Sequence, residues 1–385
     1  MNIFISAGEA SGDTHAAGVV RELKQRYPDA TFFGIGGDRM LEAGVELIEH
    51  AGRMSFMGFA EVVRHLPFIY ATRTKVLKEI VVRKPDLILL IDYPGFHFSL
   101  LRCLKRMRFI GRFGLPKVLY YIPPQVWAWK AGRAKELAQL ADRIAVIFPF
   151  EVEIFAQHGG HATFVGHPLL DEVGEIPPRG KFLKSIGLEP DDRVIGIFPG
   201  SRKQEIRRHL PILVETVRLL RRFHPEVKII LAEAPGVPLD LYTRLLRDIA
   251  GIVRVAGVSH EVLAHANASI VKSGSSTIEA AYFGNPFVVF YKVSSLSYAI
   301  GKRVVKVPFI AMANILADEM VVKELIQDQV TAENLFAEML PFLNLPDKVE
   351  ACRAGLRKVR ARLGEPGAAR RVAELAAELL EEGMN

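Results

Sequence analysis

The chain has 385 residues, 50% apolar and 24% charged, with a formal net charge of +7. This composition excludes a disordered protein, and the length predicts two domains. Two cysteines, Cys103 and Cys352, are too few for a disulfide framework or a structural zinc site and fit a reducing compartment.

In chain order, residues 2–7 read as the first strand, which leaves no room for a signal peptide. They run into Ala7-Gly8-Glu9-Ala10-Ser11-Gly12-Asp13-Thr14-His15 and a helical pattern over 16–26. A second strand is predicted over 31–35 and a helix over 71–83. Strands follow over 87–92, 117–122, 143–148 and 163–166. A second set lies over 194–198, 228–232, 252–255, 269–272 and 287–291, with a helix over 210–223 after its first member. Alternating β and α segments predict an α/β fold: two Rossmann-like domains facing a cleft, with parallel sheets and helices on both faces. The Pro/Gly-rich stretch 171–193 is the linker. The expected domains are therefore 1–170, 171–345 and a helical tail over 346–385. No run of 18 apolar residues predicts a membrane-spanning helix.

The charge is uneven. Residues 53–135 hold 16 Lys/Arg against Glu61, Glu79, Asp86 and Asp92, a balance of +12, which leaves −5 for the rest. Such a field predicts an anionic partner: nucleic acid, membrane surface or anionic substrate. No recognised nucleic-acid motif is present, so nucleic acid is not expected.

Ligands of open parallel sheets bind at the carboxyl ends of strands, so the loops there are the informative ones. In the first loop, Gly8 and Gly12 allow close backbone approach, and Glu9, Ser11, Asp13 and His15 crowd the start of a helix that can receive an anion. The plain alternative is a capped turn. Asp92 ends an apolar strand, where desolvation raises a carboxyl pKa and suits it to act as a base; the alternative is an Asx turn onto Gly95. Tyr120, Tyr121, Pro123, Pro124, Gln125, Trp127 and Trp129 fall within eleven residues and read as a sugar or lipid platform. Arg202, after Pro199-Gly200-Ser201, can fork onto phosphate. Lys272-Ser273-Gly274-Ser275-Ser276-Thr277 leads into a helix carrying Glu279, an arrangement for a diphosphate and a ribose without Walker spacing. No D-x-D occurs, and His15, His158, His161 and His167 do not form a metal set, so neither metal nor cofactor is expected.

Together these loops, with 148–151, 165–169 and Asn314-Ile315-Leu316-Ala317, resemble the lipid-A-disaccharide synthase family in the same order, over residues 1 to about 325. The resemblance implies a GT-B glycosyltransferase, inverting and metal-independent, peripheral on the inner face of the inner membrane. It implies transfer of 2,3-diacylglucosamine from UDP to 2,3-diacylglucosamine 1-phosphate. Asp92, with Glu9 and His15 as alternatives, becomes the base. Arg202, Lys272, Ser273, Gly274, Ser275, Ser276, Thr277, Glu279 and Asn314 become the donor site. Gly8, Ser11, Asp13, Gln125, Trp127, Arg102 and Arg106 face the acceptor lipid, and an anionic membrane is a partner. The expected docking surface joins residues 54–70 to 102–112, where basic and apolar residues interleave. A homodimer is left open, and a UDP-sugar 2-epimerase of the same fold is the alternative activity. The sequence departs from the family at His97 (usually Asn), at Phe198 (usually Leu) and at Ala311-Met312-Ala313 (usually with Leu-Pro). His97, near Asp92, is expected to alter its pKa.

Overall fold

A computed structural model describes residues 1–54, 65–109, 116–127, 132–304 and 307–384. They form two compact units, Met1–Glu172 with Leu363–Asn385, and Val173–Arg362.

The first unit is built on seven strands: β1 (Asn2–Ala7), β2 (Thr31–Gly36), β3 (Glu46–His50), β4 (Leu87–Ile91), β5 (Lys117–Tyr121), β6 (Arg143–Val146) and β7 (Ala162–Phe164). Their order is β3-β2-β1-β4-β5-β6-β7, parallel throughout. β4 reads LILLI and is buried along its whole length, as expected of a parallel strand covered on both faces. Alternate residues feed two cores. Leu87, Leu89 and Ile91 join Val19, Val20 and Leu23 of helix Ala10–Arg26 on one face. Ile88 and Leu90 join Val76 and Ile80 of helix Leu66–Arg83 and Leu100 and Leu104 of helix Pro94–Phe109 on the other.

The second unit carries β8 (Val194–Phe198), β9 (Lys228–Glu233), β10 (Ile252–Ala256), β11 (Ala268–Lys272), β12 (Phe287–Tyr291) and β13 (Glu324–Ile326). Their order is β10-β9-β8-β11-β12-β13, again parallel. In each sheet the chain starts in the middle, builds one way and then reverses. The reversal lies between β1 and β4 in the first unit and between β8 and β11 in the second, and it opens a crevice at the strand ends.

Three expectations are corrected. Strands β3 and β13 are not among the predicted ones, because β3 reads ELIEH, with three polar residues of five at a sheet edge, and β13 has three residues. The stretch 171–193 is not all linker: helix Arg179–Ser185 buries Phe182 and Leu183 in the second unit. The tail over 346–385 is not a separate piece. Helix Pro346–Ala361 stays with the second unit, while helix Ala368–Met384 returns to the first and buries Val372, Ala376 and Leu379 against helix Ala10–Arg26, β4 and β5. Full burial of such a Val or Leu contributes about 1.5–3 kcal/mol each.

Candidate active site

The crevice of the first unit is lined by the residues after β1 and β4. Asp92 and Tyr93 follow β4 with φ of 51° and 50°, and Ile122 follows β5 with φ of 57°. Three non-glycine residues in the left-handed region, one of them β-branched, mark strain of the kind held in place by surrounding contacts at working sites. Those contacts are visible. The Asp92 N–H donates to the Tyr121 carbonyl at 3.0 Å, and the Asp92 carbonyl accepts from the Tyr120 hydroxyl at 2.7 Å and from His97 Nδ1 at 2.6 Å. A carbonyl can only accept, so His97 Nδ1 carries the proton. Its Nε2, 2.9 Å from Ser6 Oγ, then accepts from that hydroxyl. Burial holds His97 neutral, its pKa pushed down to about 3. The Tyr93 ring lies where a Cβ on residue 8 would stand, 2.2 Å from the ideal position, and its hydroxyl donates to the Met54 carbonyl at 2.8 Å. Gly8 is therefore needed for space.

The backbone is pinned and the Asp92 carboxyl is left to titrate. Burial raises its pKa, the charge of Glu9 raises it further, and the Tyr93 N–H and His15 pull it down. His15 Nδ1 lies 2.8 Å from the Glu172 carboxylate. A carboxylate only accepts, so Nδ1 holds the proton and Nε2 is the nitrogen left to act. Glu172 lay outside the sequence reading because it falls at the end of the unit, far from the strand-tip loops. The third loop is anchored from below. Trp127 Nε1 donates to Glu151 Oε1 at 3.1 Å, and the Phe148 N–H donates to Glu151 Oε2 at 3.2 Å. Glu151 is 1% exposed, and burial pushes its pKa up to about 7 against those two donors and the Ile147 N–H.

In the second unit, the residues after β8 and β11 line the crevice. Gly200 has φ of 121°, and Glu205 folds back under it to accept from the Ser201 N–H at 2.9 Å. Glu205 also meets Lys272 Nζ at 2.9 Å. Burial alone would raise the Glu205 pKa, but Lys272 and the Ser201 N–H together lower it. Arg202 is exposed at the N-cap of helix Lys203–Phe223, in no ion pair among the described residues. Gly274 and Ser275 are exposed and Ser276 half-buried at the start of helix Ser276–Tyr282, where N–H groups lack intrahelical partners. His209 is buried between the Pro199 and Lys292 carbonyls, at 2.8 and 2.9 Å, and ties the loop after β8 to that after β12.

The chain matches the family model described as lipid-A-disaccharide synthetase over residues 3–378. Among curated relatives, the lipid-A-disaccharide synthase of Geobacter metallireducens is 42% identical over 98% of this chain and 97% of its own length. That of Acidobacterium capsulatum is 44% identical over 99% and 96%. The chain belongs to the lipid-A-disaccharide synthase family. It is thereby a glycosyltransferase. Two solved structures show the same fold at low identity. UDP-GlcNAc 2-epimerase from Neisseria meningitidis, bound to UDP-GlcNAc, has a TM-score of 0.62 at 12% identity, covering 99% of this chain and 100% of that one. The calicheamicin glycosyltransferase CalG4 has a TM-score of 0.59 at 16%, covering 99% and 98%.

For a member of this synthase family, the structure divides the expected site residues into two groups. Asp92, Glu9, Ser11 and His15 gather around the first switch point; Arg202, Lys272, Gly274, Ser275, Ser276 and Glu279 gather around the second. Glu279 sits in the first turn, 3.8 Å from His260 Nε2. Others are used up by the fold. Asp13 is buried and accepts from the N–H groups of Gly37, Arg39 and Met40 at 2.7–3.1 Å, so it caps helix Asp38–Glu42 and is not placed to meet an acceptor. Asn314 spends all four of its hydrogen bonds inside the protein: Nδ2 on the Val322 carbonyl and Glu324, Oδ1 on the Val321 and Val322 N–H groups. It braces the 310–324 segment and has nothing left for a donor. The Thr277 hydroxyl donates to the Gly274 carbonyl and the Ser273 hydroxyl to the Ile310 carbonyl. Tyr120 and Tyr121 are core, not platform. Gln125 is exposed and Trp127 half-buried beside Phe150; Trp129 lies outside the described residues. His97 holds the Asp92 backbone and is not among the groups that shift its carboxyl.

The lipid-facing expectation also narrows. Leu104 is core, so the apolar face of helix Pro94–Phe109 is turned inward at that point. Arg102 pairs with Glu136, at 2.8 Å between Nη2 and Oε2, while Arg106 is exposed. Leu66 and Tyr70 are exposed on helix Leu66–Arg83. Residues 55–64, and Ile110 and Arg112, lie outside the described residues. Among the described residues no helix is long and apolar enough to cross a membrane.

Proposed function

We propose that the chain joins 2,3-diacylglucosamine from its UDP derivative to 2,3-diacylglucosamine 1-phosphate, giving the β-1,6-linked disaccharide 1-phosphate and UDP. The reading is a single inverting displacement that needs no metal. Asp92 takes the proton of the acceptor 6-hydroxyl as that oxygen bonds to the donor C1, and the bond from C1 to the diphosphate breaks. Arg202 and the N–H groups of Gly274, Ser275 and Ser276 receive the charge that builds on the leaving diphosphate. Glu279 accepts from the ribose hydroxyls, with Lys272 held nearby by Glu205. Ser11, Gln125, Trp127 and Arg106 face the acceptor. The protein works as a peripheral enzyme on an anionic membrane, meeting it through Leu66, Tyr70 and the basic residues of helix Pro94–Phe109. One observation carries the assignment of the base: a carboxyl of raised pKa at the first switch point, on a backbone fixed by three hydrogen bonds.

The test is release of labelled UDP from diacylated and from unacylated sugar donors, with and without EDTA. Turnover of the diacylated donor alone, undiminished by EDTA, supports the reading. Turnover that needs added Mg²⁺ overturns the metal-free displacement. Conversion of UDP-N-acetylglucosamine, supplied alone, into its 2-epimer would transfer the chain to epimerase chemistry.

A further inference from the structure

Helix Pro346–Ala361 presents Arg353, Arg357 and Arg360 along one face, at spacings of four and three residues. They rim a cavity of about 270 Å³ whose other wall comes from Tyr282, Phe283 and Asn285. Asn285 and Ala266 precede β12 and β11, so the cavity lies at the amino ends of those strands. The proposed donor residues follow the carboxyl ends, about 15–20 Å away for five-residue strands. The cavity therefore stands apart from the candidate active site within the same unit.

Three features of its chemistry agree. No acidic residue lines it, and Glu350, just outside, is the acid that meets Arg357 and Arg353, so the three guanidinium groups outnumber the carboxylate beside them. Arg360 is held in place 4.5 Å over the Tyr282 ring. Arg357 pairs with the exposed Glu350 at 2.7 Å, a contact of small worth that an incoming anion can replace. Asn285 closes one wall of the cavity, with its Nδ2 donating to the Ala266 carbonyl at 2.8 Å.

We propose that this cavity is a second, non-catalytic site for a phosphate-bearing ligand, with the phosphoryl group gripped by Arg353, Arg357 and Arg360 and the rest of the ligand resting on Tyr282 and Phe283. Guanidinium forks suit phosphate bidentately, and the aromatic wall suits an amphiphile. The phosphate comes either from a soluble phosphoryl compound or from a lipid headgroup.

The full chain should be titrated with inorganic phosphate by calorimetry. It should also be sedimented with phosphatidylcholine vesicles with and without phosphatidylglycerol. The same is done for Arg353→Ala/Arg357→Ala/Arg360→Ala and for a charge-matched control, Arg218→Ala/Arg222→Ala/Arg247→Ala. We expect the first triple variant to lose at least about tenfold in phosphate affinity, the scale of one charged hydrogen bond, with UDP binding and thermal stability unchanged. The control should keep parental affinity. Loss of vesicle binding along with phosphate binding identifies a lipid headgroup; loss of phosphate binding alone identifies a soluble ligand. Asn285→Asp, which sets a negative charge beneath the cavity, should also weaken phosphate binding. The proposal is overturned if the parent binds neither probe, or if the control loses as much as the first variant.

Discussion

The two switch points have the same topology and opposite characters. At the first, three non-glycine residues are held at positive φ, and a half-buried carboxyl sits next to a second acid. At the second, the left-handed position after β8 falls to Gly200, and the half-buried Glu205 is matched to Lys272. One loop set stores strain and a carboxyl of raised pKa, while the other is relaxed, exposed and cationic. The difference fits a division of labour. A group that must take a proton has to be held in an unfavourable state, whereas groups that only receive a diphosphate need charge and access.

The comparison breaks first at Asp92. Asp92→Asn keeps the backbone and removes the base, so kcat should fall about 10²–10⁴-fold with UDP affinity unchanged. The parent's kcat should drop as pH falls through a pKa above the ordinary carboxylate range, because the raised group is protonated there. Near-normal turnover of the Asn variant would move the role to His15 or Glu9. Glu172→Gln then sharpens the choice: if His15 is the base, this change alters the pH profile of kcat.

Asn314 tests whether a residue expected to touch the donor instead braces the second unit. Asn314→Ala leaves the Val321 and Val322 N–H groups and Glu324 short of partners, and should cost about 3 kcal/mol of unfolding free energy in urea. UDP affinity of the folded protein should stay near that of the parent. A large loss of affinity at full stability would return Asn314 to the binding site.

Glu151 gives an effect of similar size with a definite sign. Its folded pKa of about 7 lies above the unfolded value, so the folded state holds the extra proton between them. The stability this contributes is complete below the unfolded pKa and is lost as pH rises through 7, about 3 kcal/mol in all. Glu151→Gln lacks the titration, so its stability relative to the parent should climb from pH 5 to pH 8.5. A constant difference across that range would show that the carboxyl titrates elsewhere. The smallest effect is expected at the relaxed site: Arg202→Ala should weaken UDP binding by roughly 1–3 kcal/mol and leave stability alone.

Much of this was legible in the chain. The apolar runs pointed to eleven of the strands, most of them buried on both faces, where a strand has no alternative to being apolar. The glycine turns and Asp92 at a strand tip marked the loops that matter, because parallel sheets bind ligands there. Residue type alone could not divide those loops into working and supporting side chains. Asp13, Asn314 and Thr277 look like ligand contacts in sequence; partners 24 residues away in one case, and in all cases backbone groups of the same unit, use them up.

What the sequence determined by itself is the family, the α/β class, the strand order of events along the chain and the uneven charge. Tertiary structure decided where the charge goes. The acidic helix Ala368–Met384 comes back across the chain, and its Glu382 lies 2.7 Å from Arg143 and 3.5 Å from Lys117, so part of the basic half is neutralised by residues more than 200 positions away. It also decided which histidine nitrogen holds a proton and which carboxyl is held at a raised pKa. Those outcomes depend on burial and on partners at hydrogen-bond distance, and neither can be read from a residue's neighbours in the chain.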